Sequence, residues 1–242
     1  MILEVNNLKK IYHTEYSEIE ALKDISFTVN EGEFIAIVGP SGCGKSTILS
    51  ILCGLENKTD GSIKMNNTKI GYMLQQDSLF PWRNILDNCM LGLEIKKEND
   101  KDYVLKLLNS YGLKDFIYSY PDNLSGGMRQ RVALIRTLAT KPNLLLLDEP
   151  FSALDYQSRL NISNDIYNIL KKEKKTMVMV THDIAEAISM CDKVIVLTDR
   201  PAKIKNIYNI ELDNKDTPIN NRKDPKFNYY YDLIWKDIDY HE

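Results

Sequence analysis

Gly39-Pro40-Ser41-Gly42-Cys43-Gly44-Lys45-Ser46 is the stretch of this 242-residue chain whose residue types most directly imply chemistry. It fits GxxxxGK[ST], follows the apolar run Phe34-Ile35-Ala36-Ile37-Val38 and opens a helical pattern, the setting a phosphate-binding loop requires. Glycines let the backbone wrap closely around phosphate oxygens, so that successive N–H groups and a helix N-terminus face the charge. Lys45 then suits the β- and γ-phosphates of a nucleoside triphosphate, and the Ser46 hydroxyl suits Mg²⁺. Alone, the loop fits GTPases, small-molecule kinases and many ATPases equally well. A second group narrows the field. Asp148-Glu149 ends the run Leu144-Leu145-Leu146-Leu147, which brings both carboxylates to a strand's carboxyl edge beside the loop. Asp148 suits a hydrated Mg²⁺, and Glu149 suits orienting and polarising a water, worth roughly 10²- to 10⁴-fold as a general base. Two carboxylates after a strand can also merely begin a turn; Pro150 and the upstream loop argue against that here.

The elements that must position these groups alternate between strand and helix signals, which points to an α/β sheet with crossover helices. Residues 34–38 form a continuous apolar run, as expected of a strand buried on both faces. Apolar Ile48, Leu49, Ile51, Leu52 and Leu55 recur at helical spacing over residues 46–55. Asp60-Gly61 reads as a turn before a short strand, and 70–74 as another strand. From about residue 78 the character changes. Pro81 starts a helical stretch, a charged patch spans 94–101, and Tyr103-Val104-Leu105-Lys106-Leu107-Leu108 is helical again, so a helical subdomain over about 78–140 interrupts the α/β core. Strands are expected at 144–147, 177–180 and 194–197. A helix over about 225–238 carries Phe227, Tyr230, Tyr231, Ile234, Trp235 and Ile238 on one face, for docking on its own domain or on a partner. Without repeats or a low-complexity linker, 1–242 reads as one domain with two lobes.

Composition excludes several classes. Charged residues make up 27% and nearly balance, at a formal net charge of −3, which argues against a sequence-independent grip on nucleic acid. No apolar run reaches the roughly 18 residues needed to cross a bilayer. Met1-Ile2-Leu3-Glu4-Val5 reads as a strand rather than a signal peptide, so a soluble chain is expected, with any membrane role reached through a partner. The four cysteines, Cys43, Cys53, Cys89 and Cys191, show no CxxC pairing. Cys53 and Cys191 read as core positions. Cys43, beside Lys45 and a helix N-terminus, reads either as a thiol biased toward its thiolate or as a tolerated small residue.

Between the loop and the carboxylates lies Leu124-Ser125-Gly126-Gly127-Met128-Arg129-Gln130. These three signals in this order resemble the ATP-binding cassette (ABC) ATPases, and the resemblance covers nearly the whole chain. It implies an α/β fold: a P-loop NTPase core of ABC type with an antiparallel β subdomain and the inserted α-helical subdomain. It also implies that Ser125, Gly126 and Gly127 reach across a head-to-tail homodimer to the γ-phosphate held by the other subunit. His182, in Thr181-His182-Asp183, matches the switch histidine that senses that phosphate. Gln75 matches the glutamine that reaches Mg²⁺ or water as the helical lobe rotates. It is preferred over Gln76 because it places Pro81 and Trp82 as in those proteins. Tyr12 matches the aromatic that stacks on adenine, or it simply packs. Ser152-Ala153-Leu154-Asp155 resembles the loop along the dimer seam.

Carried over residue by residue, the resemblance makes Glu149, His182, Lys45 and Gln75 catalytic. ATP falls to Tyr12, Gly39, Pro40, Ser41, Gly42, Cys43, Gly44, Lys45, Ser46, Thr47, Gln75, Ser125, Gly126, Gly127 and Asp155, and Mg²⁺ to Ser46, Gln75 and Asp148. The segment 75–88 and Arg200-Pro201-Ala202-Lys203-Ile204 look like importers for nitrate, sulfonates and taurine. Gln76, where an acidic residue is common, and Ser152, where glycine is common, depart from that pattern and weaken any assignment of solute. The implied partners are a second copy, an integral-membrane permease and, indirectly, an extracytoplasmic solute-binding protein, with no nucleic acid. The implied place is the cytoplasmic face of the membrane. An exporter ATPase is the alternative, faintly supported by residues 17–22. A non-transport ABC protein lacks its coiled coil or zinc cysteines here, and a module without hydrolysis is disfavoured by Lys45, Glu149 and His182.

Overall fold

Alternation along buried strands divides the interior into two cores. The computed structural model describes residues 1–15, 17–152 and 154–238. The chain opens with β1 (Leu3–His13), β2 (Glu18–Val29) and β3 (Phe34–Val38), then α1 (Lys45–Leu52), β4 (Asp60–Met65) and β5 (Ile70–Met73). Helices α2 (Ile85–Ile95), α3 (Lys101–Ser110) and α4 (Gly126–Ala139) follow. Next come β6 (Leu144–Asp148), α5 (Tyr156–Lys172), β7 (Thr176–Val180), α6 (Ile184–Met190), β8 (Lys193–Leu197) and β9 (Ile204–Asn209), with α7 (Pro218–Asn221) and α8 (Phe227–Ile238) last.

Among the described residues one sheet runs β5-β6-β7-β3-β8-β9, parallel except for β9, and an antiparallel sheet runs β2-β1-β4. Every residue of β3, β6 and β7 is buried. Because successive side chains point to opposite faces, Phe34, Ala36, Leu145, Leu147, Met177 and Met179 join a core with α2 to α6 and α8. Ile35, Ile37, Leu144, Leu146, Val178 and Val180 join a second core with α1 and the antiparallel sheet. Each fully buried leucine is worth roughly 1.5–3 kcal/mol, so the strands that end at the chemistry are also the anchored ones.

Helices α2, α3 and α4 occupy the connection between β5 and its parallel neighbour β6. Boundaries differ from the sequence reading for local reasons. The helix expected from Pro81 begins at Ile85, because Asn84 is extended and its side chain accepts from Asp87 N. Asp60-Gly61 is no turn but the start of β4, paired with β1. Helix α1 stops at Leu52, short of Leu55, and β5 stops at Met73. The hairpin strand β9 is absent from the sequence reading; its Ile204, Ile207 and Tyr208 do not recur with a period of two, and none of its residues is fully buried. Helix α8 docks through Phe227 and Ile234 on α6 and β8, whereas Trp235 stacks on Tyr231 and remains half exposed.

The segment leading into α2 is held from two sides. Arg136 donates to the Asp77 and Ser78 carbonyls at 2.6 and 2.7 Å, and Arg129 Nε lies 3.0 Å from Asp77 Oδ2. Asn88, 0% exposed, accepts from Phe80 N at 2.8 Å and donates to the carbonyls of Phe80, Arg83 and Asn84 at 3.0–3.1 Å. This fixes the loop that displays Trp82, which is 70% exposed and stacked on Phe80. Asn88→Ala removes the side-chain partners of Phe80 N and the Arg83 carbonyl, whereas the Phe80 and Asn84 carbonyls keep backbone donors. An expected loss of about 2 kcal/mol is measurable by urea denaturation, and an unchanged midpoint would refute this role for the side chain.

Candidate functional site

The phosphate loop runs from the end of β3 into α1, and its close turn depends on Gly44. This residue has φ 120°, and a Cβ there would lie 2.9 Å from Leu22 Cδ2 and 3.3 Å from the Ala21 carbonyl. No side chain caps the α1 N-terminus, which leaves its N–H groups facing an anion unopposed. Lys45 is buried, and its Nζ donates to the Gly39 and Pro40 carbonyls at 2.8 Å each. Two of the ammonium's three donors are thereby set. Ser41, Gly42, Gly44, Lys45, Ser46 and Thr47 line a cavity of about 660 Å³, together with Gln75, Glu149, His182 and Arg200. That volume lies within the usual range for small-molecule sites.

At the floor of the loop, Ser46 Oγ donates to Asp148 Oδ1 at 3.0 Å, and the Tyr72 hydroxyl donates to Oδ2 at 3.2 Å. Burial holds the Asp148 carboxyl above the ordinary carboxylate range, and those two hydrogen bonds offset only part of the shift. Tyr72 is itself pushed up to about 12, by burial first and then by Asp148, so its hydroxyl stays a donor. Hard oxygens from a hydroxyl and a carboxylate suit Mg²⁺. Among the described residues no group of three or more His, Cys, Asp and Glu could hold a metal alone. An ion here therefore needs phosphate and water to complete its shell, the usual arrangement for Mg²⁺.

Glu149 follows with φ 45°, a left-handed backbone that costs a non-glycine residue about 1–3 kcal/mol and tends to persist at functional sites. Its N–H donates to the Val180 carbonyl at 2.9 Å, and its own carbonyl accepts from Ser152 N and Oγ at 3.2 and 3.1 Å. The side chain is thereby aimed so that Oε2 accepts from Gln75 Nε2 at 3.0 Å and lies 3.3 Å from His182 Nδ1. Of the two adjacent glutamines, Gln75 is the one whose amide reaches Glu149. Tyr12 lies at the rim, its ring 4.6 Å from the Lys10 ammonium and its hydroxyl 3.5 Å from Thr47 Oγ1. Lys10 is held there by Glu56 and the Asn57 carbonyl.

Other expected site residues lie elsewhere. Ser125 caps α4 by accepting from Met128 N at 3.3 Å. At Gly127 a Cβ would come within 2.8 Å of Ile162 Cδ1, so glycine lets the Ile162 side chain of α5 pack closely on the turn. Ser125 and Gly127 line a small hollow with Met128, Arg131, Ser158 and Ile162, distinct from the loop cavity. Gly126 instead borders a cavity of about 680 Å³ shared with Gln75, Gln76, Glu149 and His182. Asp155 caps α5 by accepting from Ser158 N at 3.0 Å, and hydrogen bonding by the Ser158 side chain first and its backbone second holds the carboxyl low. Ala153, in the same seam loop, lies outside the described residues.

For Cys43 the structure favours the second of its two readings, a tolerated small residue rather than a thiolate. Cys43 is buried, and desolvation pushes its thiol up, outweighing the nearby Lys45 that was expected to favour the thiolate. Sequence reasoning missed two residues. Tyr72 reaches Asp148 because β5 lies beside β6 (Tyr72 pairs with Leu146), an adjacency no local pattern reveals. Arg200, read only as part of a subfamily tag, donates from Nη2 to the Gly42 carbonyl at 2.6 Å and so touches the loop directly. Tyr72→Phe deletes one hydrogen bond to the Asp148 carboxylate. It should raise the Mg²⁺ concentration required for half-maximal nucleotide hydrolysis roughly 5- to 10-fold, the equivalent of about 1–1.4 kcal/mol; an unaltered Mg²⁺ titration would show that the hydroxyl does not tune Asp148.

A family model described as ABC transporter matches residues 22–152. The chain is 44% identical over 98% of its length, and 95% of the relative's, to the uncharacterized ABC transporter ATP-binding protein YtlC of Bacillus subtilis (strain 168). It is 37% identical to the aliphatic sulfonates import ATP-binding protein SsuB of the same organism, over 90% of this chain and 89% of the relative. Among solved structures, the post-hydrolysis dimer of the ATP-binding cassette MJ0796 bound to ADP and Pi superposes with a TM-score of 0.77 at 31% identity. It covers 87% of this chain and 99% of its own. Both the phosphate loop and the Asp148-Glu149 strand end fall inside the matched stretch, and this chain belongs to the ABC transporter family, as an ATP-binding subunit.

Proposed function

We propose that the chain binds and hydrolyses ATP to drive an importer of a small, anionic or sulfonate-like solute. It works as a head-to-tail homodimer on a separate permease, at the cytoplasmic face of the membrane. One observation carries the dimer. Lys45, Ser46, Gln75, Glu149 and His182 share the loop cavity, while Ser125 and Gly127 line a hollow apart from it. A second copy in the opposite orientation supplies that turn to each loop, an isologous arrangement that places two sites on one seam. The MJ0796 cassette is itself a dimer with ADP and Pi bound, which supports this reading. Import rests on the SsuB relatives and on the short 60–75 connection followed by Pro81 and Trp82.

In this mechanism the loop N–H groups, the α1 N-terminus and Lys45 hold the β- and γ-phosphates, and Tyr12 offers its ring to adenine. Ser46 and Asp148 would hold Mg²⁺, with Gln75 lining the same cavity, and the ion would supply positive charge to offset that of the phosphates. Glu149 orients a water and accepts its proton as the water oxygen bonds to the γ-phosphorus. The bond from that phosphorus to the β–γ bridging oxygen breaks, and ADP leaves with that oxygen. His182 donates a hydrogen bond to the γ-phosphate and contacts Glu149, so loss of the phosphate is felt at the general base. The helices inserted between β5 and β6 form the lobe that moves, and exposed Trp82, stacked on half-buried Phe80, is its handle on cytoplasmic helices of the permease.

Glu149→Gln keeps the shape of the side chain and removes the base. It should bind ATP, form a stable dimer by light scattering, and turn over at least about 10²-fold more slowly; wild-type turnover would remove Glu149 from this role. Direction is tested by gentle solubilisation of native membranes and mass spectrometry of the co-purifying chains. A permease with a separate solute-binding protein is the expected outcome. A permease with a large extracytoplasmic domain of its own, and no binding protein, would assign the chain to export.

A further inference from the structure

Helix α5 begins at the seam turn, and its fourth residue, Arg159, reaches three places at once. Nη2 donates to the Leu154 carbonyl in the seam turn at 3.2 Å. Nη1 lies 3.2 Å from Asp183 Oδ2, the residue after His182. Nε lies 3.6 Å from Glu186 Oε1 in α6. The side chain is 21% exposed, and a planar fork whose Nη1 and Nη2 donate to different partners while Nε faces a carboxylate matches such a divided task in a way that an ammonium does not.

The receiving side is tightly interlocked. Asp183 caps α6 by accepting from Glu186 N at 3.0 Å. Thr181 Oγ1 donates to Glu186 Oε2 at 2.8 Å and accepts from Asp183 N at 3.0 Å. Glu186 is 3% exposed, and burial followed by Asp183 pushes its carboxyl up to about 7, while Arg159 and Arg222 pull it down. The residues on either side of His182 are therefore both held in one hydrogen-bonded knot, and Arg159 is the member of that knot that also grips the seam.

We propose that Arg159 is a positioning residue that couples the dimer seam to the His182 turn, so that closure of the dimer sets the contact between His182 and Glu149. The inference rests on the ATP-driven dimer described above. Arg159 does not touch the phosphate loop, so its effect falls on turnover and cooperativity rather than on the first binding of ATP. A residue that merely held the fold together would lower stability and binding along with rate.

The test uses the full chain with Arg159→Lys, which keeps the charge but not the fork, and Asp183→Asn, which keeps the α6 cap but weakens the Nη1 contact. Measured are ATP affinity by fluorescent-analogue titration of the separated chain, kcat, the Hill coefficient for ATP, and the melting temperature. For Arg159→Lys the expected result is affinity within about 2-fold of wild type and a kcat lower by about 10- to 100-fold, with the Hill coefficient falling toward 1. Asp183→Asn should move the same way by less. In a His182→Ala background Arg159→Lys should cost no further rate, since both changes act through the same contact. Wild-type kcat and cooperativity in both variants overturns the proposal, as does a rate loss matched by losses in affinity and melting temperature, or full additivity with His182→Ala. Wild-type protein and Glu149→Gln run alongside separate the two readings. Non-cooperative wild-type hydrolysis brings down the dimer and this coupling together, whereas cooperative wild type with unaffected Arg159 variants brings down the coupling alone.

Discussion

Ile37, Val180 and Asp148 lie side by side across three adjacent parallel strands, β3, β7 and β6, and the rest of the site depends on that register. From this row each strand runs out at the same edge of the sheet: β3 into Gly39 and the phosphate loop, β7 into Thr181 and His182, β6 into Glu149. A slip of one residue would turn every side chain of a strand to the opposite face. Here it would exchange the two cores and carry Asp148 away from Ser46 as well. The buried faces of β3, β6 and β7 therefore enforce catalytic geometry through packing, and no ionic contact is needed to align the strands.

Given that edge, charge is managed through neutral dipoles more than through ion pairs. Lys45 is held by two carbonyl oxygens, and Asp148 by two hydroxyls. Both arrangements keep a charge buried without cancelling it, so each group stays available to an incoming phosphate or cation. A Lys45–Asp148 salt bridge would satisfy the pair internally and make the triphosphate compete for it. Glu149 follows a different logic: its left-handed backbone, secured by Val180 and Ser152, places the carboxylate between Gln75 and His182, where three loops meet.

What was legible in the sequence is what is contiguous in it. The phosphate loop, the leucine strand with its two carboxylates and the turn at His182 each carry their own context within a few residues. Their fold class followed from the alternation of strand and helix signals. Tyr72, Arg200 and Arg159 were not legible, because their partners lie across the chain and depend on which strands end up adjacent. The choice between the two readings of Cys43 was not legible for a related reason. The charges that favour its thiolate are neighbours in sequence, whereas the burial that opposes it comes from packing against the second core. Strand β9, whose apolar residues do not alternate, carried too little hydrophobic periodicity to be recognised, and Pro81 drew the start of α2 four residues too early because the Asn84 cap is a weaker signal than a proline.

The remaining question is why the turn at Ser125 to Gly127 and the turn at Asp155 should act together across the dimer. The answer lies in α4 and α5. Gly127 admits Ile162 of α5 against the first turn of α4, and Arg131 of α4 lies 3.0 Å from Asp165 of α5. Asp155 and Arg159 occupy the N-terminal end of that same α5. In the proposed dimer, the turn that each copy would offer to its partner's nucleotide is packed on the helix whose beginning would line the seam and whose fourth residue contacts the His182 turn. On the proposed reading, one copy's γ-phosphate therefore presses on the other copy's α4–α5 pair, and through Arg159 on that other copy's own catalytic turn. Two sites linked in this way have a physical reason to fire in concert, and the link needs only side chains that are already in contact.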